Sequence, residues 1–242
     1  MAITGAAGLL AAWEAGLAAP PAGRALLLHR TARPDLDDRT LPERPVGERE
    51  ADLFALRRAL FGERMQVRLE CAECGADMEF ELDAGEFART LGDRPDPVVR
   101  VEHGGWRVAF RLPGVADLTA AARTADPRAA LLERCVVTAE HDGRTVAAAE
   151  LPAPVQRRIA EAVEAADPGA DVTLNVACPE CGQATRAELD IASYLWTELD
   201  AWARDLLLDV HLLATAYGWS EPEILALSPL RRRYYLELCA DV

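Results

Sequence analysis

Residues 67–83 read VRLECAECGADMEFELD, and residues 171–190 read DVTLNVACPECGQATRAELD. Aligned without gaps, the segments that start at Cys71 and Cys178 agree at Cys, Glu, Cys, Gly, Glu, Leu and Asp. Apolar and polar residues alternate around each C-x-x-C-G, which predicts a strand, a tight turn and a second strand. The glycine lets the backbone fold beneath a bound ion. We therefore interpret the two stretches as a pair of matching metal-binding knuckles.

Two cysteines from each knuckle form the predicted metal site. A structural Zn²⁺ takes four ligands in a tetrahedron, so one C-x-x-C pair cannot complete a site, whereas two pairs can. The separation of the pairs, about 100 residues, exceeds the roughly 15–20 residues of a compact zinc ribbon. Closing the longer loop costs roughly 1.7 kcal/mol more, which is small beside the zinc-binding free energy, on the order of 10–16 kcal/mol. The predicted cofactor is one Zn²⁺, and its predicted ligands are Cys71, Cys74, Cys178 and Cys181.

Two other interpretations of the cysteine pairs are two independent redox motifs and incidental thiols. A reactive C-x-x-C thiol is usually acidified by a helix N-terminus, and the strands that flank both pairs offer none. Cys135 and Cys239 stand alone among apolar residues and are expected to be buried. In a cytosolic chain, six cysteines are more often metal ligands than disulfides.

The composition excludes several classes of partner. Half of the 242 residues are hydrophobic and the net charge is −14, with 26 arginines and no lysine. Such acidity argues against binding to nucleic acid and to anionic membranes. The first 20 residues carry Glu14 but no basic residue, so no signal peptide is expected. The apolar stretch 206–219 is interrupted by Asp209 and His211 and is too short to span a bilayer. We expect a cytoplasmic protein.

The predicted fold class is α+β: a zinc ribbon split by a large α+β insertion and flanked by N- and C-terminal helices. Two alternating runs around Gly104-Gly105 predict a hairpin, and His141-Asp142-Gly143 predicts another. Apolar spacing and capping residues predict helices at residues 9–17, 24–29, 48–61, 126–134, 154–166, 191–217, 222–227 and 229–238. The predicted segments are an N-terminal helical region (1–66), a first knuckle (67–83), an inserted α+β domain (84–170), a second knuckle (171–190) and a C-terminal helical region (191–242).

No catalytic motif accompanies this pattern. The sequence has no G-x-S-x-G, no H-E-x-x-H and no glycine-rich phosphate loop. His29, His103, His141 and His211 are scattered; two of them fall at hairpin turns, and His211 is interpreted as a packing or hydrogen-bonding residue. We therefore predict a protein that is not an enzyme.

The C-terminal stretch YGWSEPEILALSPLRRRYYLEL, residues 217–238, allows two interpretations. As a helix-turn-helix it would place Arg231 to Arg233 on DNA, but residues 190–242 hold nine acids and four arginines, a field that repels phosphates. A helical hairpin that buries its own core or docks on a partner protein fits the charge better. Docking surfaces are predicted around the aromatic residues of the terminal helices, namely Trp13, Phe54, Phe61, Trp219 and Tyr234.

Several stretches resemble the T-even-type phage baseplate protein family, whose bacterial relatives are found in contractile injection systems. They are LLAAWEAGLAAPPAGRALLLHR (9–30), LPERPVGEREADLFALRRALFG (41–62), CAECGADMEFELD (71–83) and FRLPGVADLTAA (110–121). Residues 217–238 are similar to short helical proteins from the same gene clusters. The resemblance implies a structural or chaperone-like part in baseplate or hub assembly, with baseplate, hub or spike proteins as partners. The alternatives are a zinc-ribbon regulator that binds nucleic acid and a thiol oxidoreductase.

Overall fold

The computed structural model describes residues 5–91 and 96–240. The chain forms two compact units, a central unit (residues 32–191) and a terminal unit (residues 1–31 and 192–242). Helices and small antiparallel sheets occur together, with a four-cysteine cluster, so the predicted α+β class is confirmed. The division into five segments and the split zinc ribbon stay predictions. Residues 1–4, 92–95 and 241–242 of the predicted segments lie outside the described residues.

The elements of the described residues are as follows. The helices are α1 (Ala6–Leu17), α2 (Pro21–Ala32), α3 (Val46–Phe61), α4 (Ala84–Thr90), α5 (Val115–Ala121), α6 (Pro127–Cys135), α7 (Ala153–Ala166), α8 (Ile191–Tyr217), α9 (Glu221–Leu225) and α10 (Pro229–Ala240). The strands are β1 (Arg64–Glu70), β2 (Asp77–Asp83), β3 (Val98–His103), β4 (Trp106–Arg111), β5 (Val136–His141), β6 (Arg144–Thr145), β7 (Thr173–Ala177) and β8 (Ala184–Glu188).

The stretch between the two knuckles folds around its own core. Strands β3, β4, β5 and β6 form an antiparallel sheet in chain order, and both predicted hairpin turns are present. Inward residues of β4, such as Val108 and Phe110, pack against the apolar faces of α6 and α7, which include Leu132 and Ile159. The Asp126 carboxylate accepts a hydrogen bond from the Ala129 N–H (3.0 Å) and caps α6, as its position before Pro127 predicts.

Two short helices of the central unit are absent from the sequence-based prediction. Helix α4 is capped by Asp83, whose carboxylate accepts from the Glu86 N–H (2.7 Å). Helix α5 is preceded by its N-cap residue Gly114, whose N–H donates to the Asp117 carboxylate (3.0 Å). Each helix has seven residues, fewer than an apolar stripe needs to repeat, so hydrophobic periodicity does not reveal it.

The terminal unit is built on the long helix α8, whose bounds match the prediction. The Trp13 indole N–H donates to Asp200 (2.8 Å), and Gly16 lies against the Trp196 ring, where a Cβ would come within 2.3 Å. Helix α10 packs on α8 through Arg232, which donates to Asp209 (3.1 Å). Within the part of the chain that the structure describes, no helix is both long enough and apolar enough to cross a membrane.

At the start of α9, one half of a capping box is present. The Glu223 carboxylate accepts from the Ser220 N–H (2.8 Å) and hydroxyl (2.6 Å), but the Ser220 side chain makes no capping hydrogen bond to the helix.

Several side chains are placed differently from the prediction. Trp13 and Phe54 are buried, so the prediction that they form docking surfaces is wrong; Tyr234 is 60% exposed. His211 is exposed on α8 instead of packed, while Cys135 is buried as expected. Cys239 is only partly buried and donates to the Tyr235 carbonyl (3.0 Å), because it lies in the last turn of α10. Phe61 and Trp219 are partly buried, and His29 is fully enclosed.

Candidate metal centre

Both knuckles contain the same six-residue turn. Strands β1 and β2 end their pairing at Glu70 and Asp77, so the first turn starts at Cys71. The Cys71 N–H donates to the Ala76 carbonyl (2.9 Å), and the Gly75 N–H donates to the Cys71 carbonyl (2.9 Å). These two bonds close the loop and direct both cysteine side chains of the first knuckle to one side.

The second turn repeats these bonds. The Cys178 N–H donates to the Gln183 carbonyl (2.8 Å), and the Gly182 N–H donates to the Cys178 carbonyl (2.9 Å). Gly75 has φ = +71° and Gly182 has φ = +72°, in the left-handed region that favours glycine. The near-repeat in sequence is therefore a repeat in backbone conformation.

The four sulfur atoms converge. Cys71 Sγ lies 3.7 Å from Cys181 Sγ, and Cys74 Sγ lies 3.7 Å from Cys178 Sγ. All four lie within 4.8 Å of one another. A zinc tetrahedron with Zn–S bonds of about 2.3 Å has S···S edges of about 3.8 Å, whereas a disulfide needs about 2.05 Å. The four cysteines could therefore hold one metal ion in the space between them.

Each 3.7 Å contact joins one knuckle to the other, because the first cysteine of each pair meets the second cysteine of the opposite pair. Cys71 and Cys178 are buried, while Cys74 and Cys181 are exposed. An ion at the centre would thus be reachable from solvent on one side and enclosed by protein on the other.

Hydrogen bonds and the close approach of the sulfurs lower the pKa of one thiol, Cys71, and raise the pKa of Cys74 and Cys181. N–H donors of Cys74 and Glu73 lower the pKa of Cys71 to about 6. The Ala76 N–H lowers the pKa of Cys74, but the thiol hydrogen bond with Cys71 and the partial loss of water around the crowded sulfurs outweigh it and raise the value to about 12. For Cys181, the Gln183 N–H lowers the pKa, and the partial loss of water beside the neighbouring sulfurs raises it, with a net increase. Four adjacent thiolates need a cation to offset their mutual repulsion, which a divalent metal supplies.

Apolar side chains surround the buried sulfurs. Met78 is buried with Cys71 and Cys178, and Leu69, Ala76 and Val176 pack against this cluster. Thr185, on β8, is buried beside it. Sequence reasoning missed Thr185, although the gapless alignment of the knuckles places it opposite Met78, where an apolar residue would be expected.

The structure brings together the four cysteines that the sequence singled out and no others. Cys135 and Cys239 lie elsewhere, and among the described residues the only group of three or more metal-ligating side chains is the four-cysteine cluster. It stays a prediction that the ion is zinc and that these four cysteines are its ligands.

A family model described as "T4 bacteriophage base plate protein" matches residues 28–196, more than half of the chain. The chain belongs to this family. The match includes both knuckles and all four cysteines, and it ends within α8, so most of the C-terminal helical region of this baseplate family member lies beyond it. The comparison with curated proteins and the comparison with solved structures gave no match. The sequence-based resemblance to phage baseplate proteins is thereby confirmed.

Proposed function

We propose that this chain is a non-enzymatic structural or chaperone-like assembly protein for the baseplate or hub of a phage-tail-like contractile injection system. The observation that carries the proposal is the family match over residues 28–196. The partners are other baseplate, hub or spike proteins, bound through protein–protein contacts in the cytoplasm. Baseplate assembly requires rigid subunits with defined surfaces, and a knuckle pair cross-linked by one ion supplies rigidity without a large core.

The proposed cofactor is one Zn²⁺ held by Cys71, Cys74, Cys178 and Cys181. Four thiolates in tetrahedral arrangement select Zn²⁺ or an iron–sulfur cluster over hard cations, and sulfur spacings of 3.7 Å fit a single ion. With four protein ligands the ion has no open position for substrate, which is typical of a structural zinc site. The zinc therefore links two distant parts of the chain.

A nucleic-acid-binding regulator is less well supported. In α10, Arg232 donates to Asp209 and Arg233 donates to Glu237 (3.0 Å), so these two guanidinium groups are engaged within the protein. The net charge of −14 adds a repulsive field. If the regulator were correct, a gel-shift assay would show binding that weakens steeply with salt.

Deletion of the gene in a strain that produces such particles tests the proposal. We expect complete contractile particles to disappear, as counted by electron microscopy of sedimented material, and to return with a plasmid-borne wild-type copy. Undiminished particle numbers in the deletion strain would contradict the proposed role.

Mass spectrometry of purified wild-type particles separates the two forms of the proposal. A built-in component is present at a fixed ratio to the other baseplate proteins. An assembly chaperone is needed for particle formation but missing from the finished particle.

A further inference from the structure

Thr185 has an unusual position for a hydroxyl-bearing residue. It lies on β8, directly across from Val176 on β7, and Val176 packs against the cluster of Cys71, Met78 and Cys178. The residue is 6% exposed, and its Oγ1 is buried without a hydrogen-bond partner within the described ranges 5–91 and 96–240. A buried hydroxyl left unpaired costs free energy relative to an apolar group of the same shape.

The cluster beside this hydroxyl offers the buried sulfurs of Cys71 and Cys178 as hydrogen-bond acceptors. Of these two sulfurs, Cys71 is the one whose pKa the Thr185 hydroxyl lowers, after the Cys74 and Glu73 N–H groups, although in the metal-free chain the hydroxyl and the sulfur form no hydrogen bond of normal geometry. A neutral thiol is a weak acceptor, whereas a thiolate accepts strongly. The bond thus gains strength only when Cys71 is held as a thiolate.

The two knuckles differ at this point. The residue equivalent to Thr185 in the first knuckle is Met78, which is buried in the same cluster with Cys178. Each knuckle thus packs one strand residue beside the cysteine cluster, and only the second knuckle supplies a donor there. If packing alone mattered, an apolar residue would serve at both positions.

The structure assigns Thr185 a positioning role at the metal centre: when a metal ion holds Cys71 as a thiolate, the Thr185 hydroxyl donates a hydrogen bond to Cys71 Sγ. The inference rests on the proposed metal site and names a residue outside the ligand set. Such hydrogen bonds from residues behind the ligands orient the ligand and stabilise its charged form. Thr185 therefore stabilises the metal-loaded site from the knuckle opposite Cys71. In the metal-free protein its unpaired, buried hydroxyl lowers the stability of the fold.

The test is zinc titration of the purified full-length chain against a chromophoric chelator. Thr185→Val removes the hydroxyl and keeps the shape; we expect roughly tenfold weaker zinc binding, while Thr185→Ser restores wild-type affinity. The melting temperature of metal-free Thr185→Val should stay the same or rise, because an unpaired buried hydroxyl is gone. A purely structural role would instead lower the melting temperature with and without metal.

Cobalt substitution gives a second measurement. With Co²⁺ alone as the probe, loss of the hydrogen bond raises the energy of the sulfur lone pairs. The thiolate-to-cobalt charge-transfer band of Thr185→Val should therefore move to longer wavelength. Thr173→Val, on the same hairpin but bonded to the exposed Asp171 carboxylate (2.8 Å), is the matched control and should leave affinity and spectrum unchanged.

The outcomes separate the two levels of inference. Wild-type protein that binds neither Zn²⁺ nor Co²⁺ overturns the metal site itself. Wild-type protein that binds zinc, together with Thr185→Val of equal affinity and unshifted cobalt spectrum, overturns the role of Thr185 and leaves the metal site standing.

Discussion

The first and second knuckles have the same turn conformation but different flanking strands. Their loops have the same hydrogen bonds, and the φ angles of their glycines differ by only one degree. Their strands differ: β1 and β2 pair over seven residues, whereas β7 and β8 pair over five. The comparison teaches that the short C-x-x-C-G turn fixes the geometry of the cysteine pair by itself. The flanking strand residues, such as Met78 and Thr185, set the environment of the sulfurs.

The knuckles also differ in how the chain anchors them to α3. The first follows the C-terminal end of this helix, where the buried Arg57 donates to the carbonyls of Gly62 (2.7 Å) and Arg64 (2.5 Å). The second follows residues 168–170, which pack on the N-terminal end at Gly47. The two knuckles are therefore attached at opposite ends of α3, a helix roughly 24 Å long. The cysteine cluster brings the two knuckles together.

The largest effect is expected from breaking the cluster. Cys74→Ser and Cys181→Ser, one in each knuckle, should each reduce the zinc content from one equivalent per chain to none, because the proposed site needs all four sulfurs to hold one ion. Elemental analysis after purification without chelator measures this. At free zinc a thousandfold above Kd, the loss of binding lowers the free energy of unfolding by about 4 kcal/mol.

Cys135→Ser serves as a control for that experiment, since Cys135 lies outside the cluster and should leave the zinc content unchanged. If each variant instead kept half of the metal content of the wild-type chain, each knuckle would hold its own ion. That result would contradict a single site shared by both knuckles.

A smaller effect is expected from the stretch between the knuckles, where Asp117 is buried and accepts from Arg111 (2.7 Å) and Arg134 (3.0 Å). Removing one partner of a buried ion pair is costly, but both arginines reach solvent, so we expect Asp117→Asn to destabilise the chain by about 3 kcal/mol. Zinc content should stay at one equivalent if the stretch folds independently of the knuckles. Chemical denaturation and elemental analysis measure the two quantities.

The same substitution removes a pH dependence. Burial raises the pKa of Asp117, but hydrogen bonds from Arg111 and Gly114 and the charge of Arg111 outweigh it and hold the pKa below its usual value. The stabilisation is therefore complete above the unfolded pKa of about 3.9 and is lost as pH falls through the lower folded pKa. Asp117→Asn should flatten the acid limb of the stability profile; an unchanged limb would contradict the assignment.

An effect of about 2 kcal/mol is expected at the contact that anchors the second knuckle. In Gly47→Ala, the added Cβ would lie 1.9 Å from Asp167 Oδ1 and 3.0 Å from the Ala170 N, and Asp167 is itself buried and bonded to the Gly47 N–H (3.1 Å). The helix and residues 168–170 must move apart. Thermal unfolding measures the loss, and Gly5→Ala, with open space around its Cβ, is the control. Equal melting temperatures for both variants would show that the contact does not anchor the knuckle.

The sequence predicts these features unequally. The clustering of the four cysteines and the two turns could be predicted because cysteine and glycine at fixed spacing leave few alternatives for the backbone. The long helix α8 could be predicted because its apolar spacing repeats over many turns. The role of Gly47 could not, because its contact with Gly169 joins residues far apart in sequence. The sequence does not predict that Trp13 and Phe54 are buried, because the same spacing of aromatic residues occurs in a core and on a docking surface.

The smallest expected effect tests whether the two turns are equivalent. Gly75→Ala and Gly182→Ala place a Cβ in the left-handed region, which costs about 1 kcal/mol. The new Cβ causes no steric clash in either turn. In Gly75→Ala its nearest neighbour is Glu70 Oε1 at 3.8 Å, and in Gly182→Ala no atom lies within 4 Å. The two variants should therefore lose equal stability in parallel thermal denaturation of the zinc-loaded chain. A cost confined to one of them would mean that the strands, and not the turn alone, determine the conformation of the knuckle.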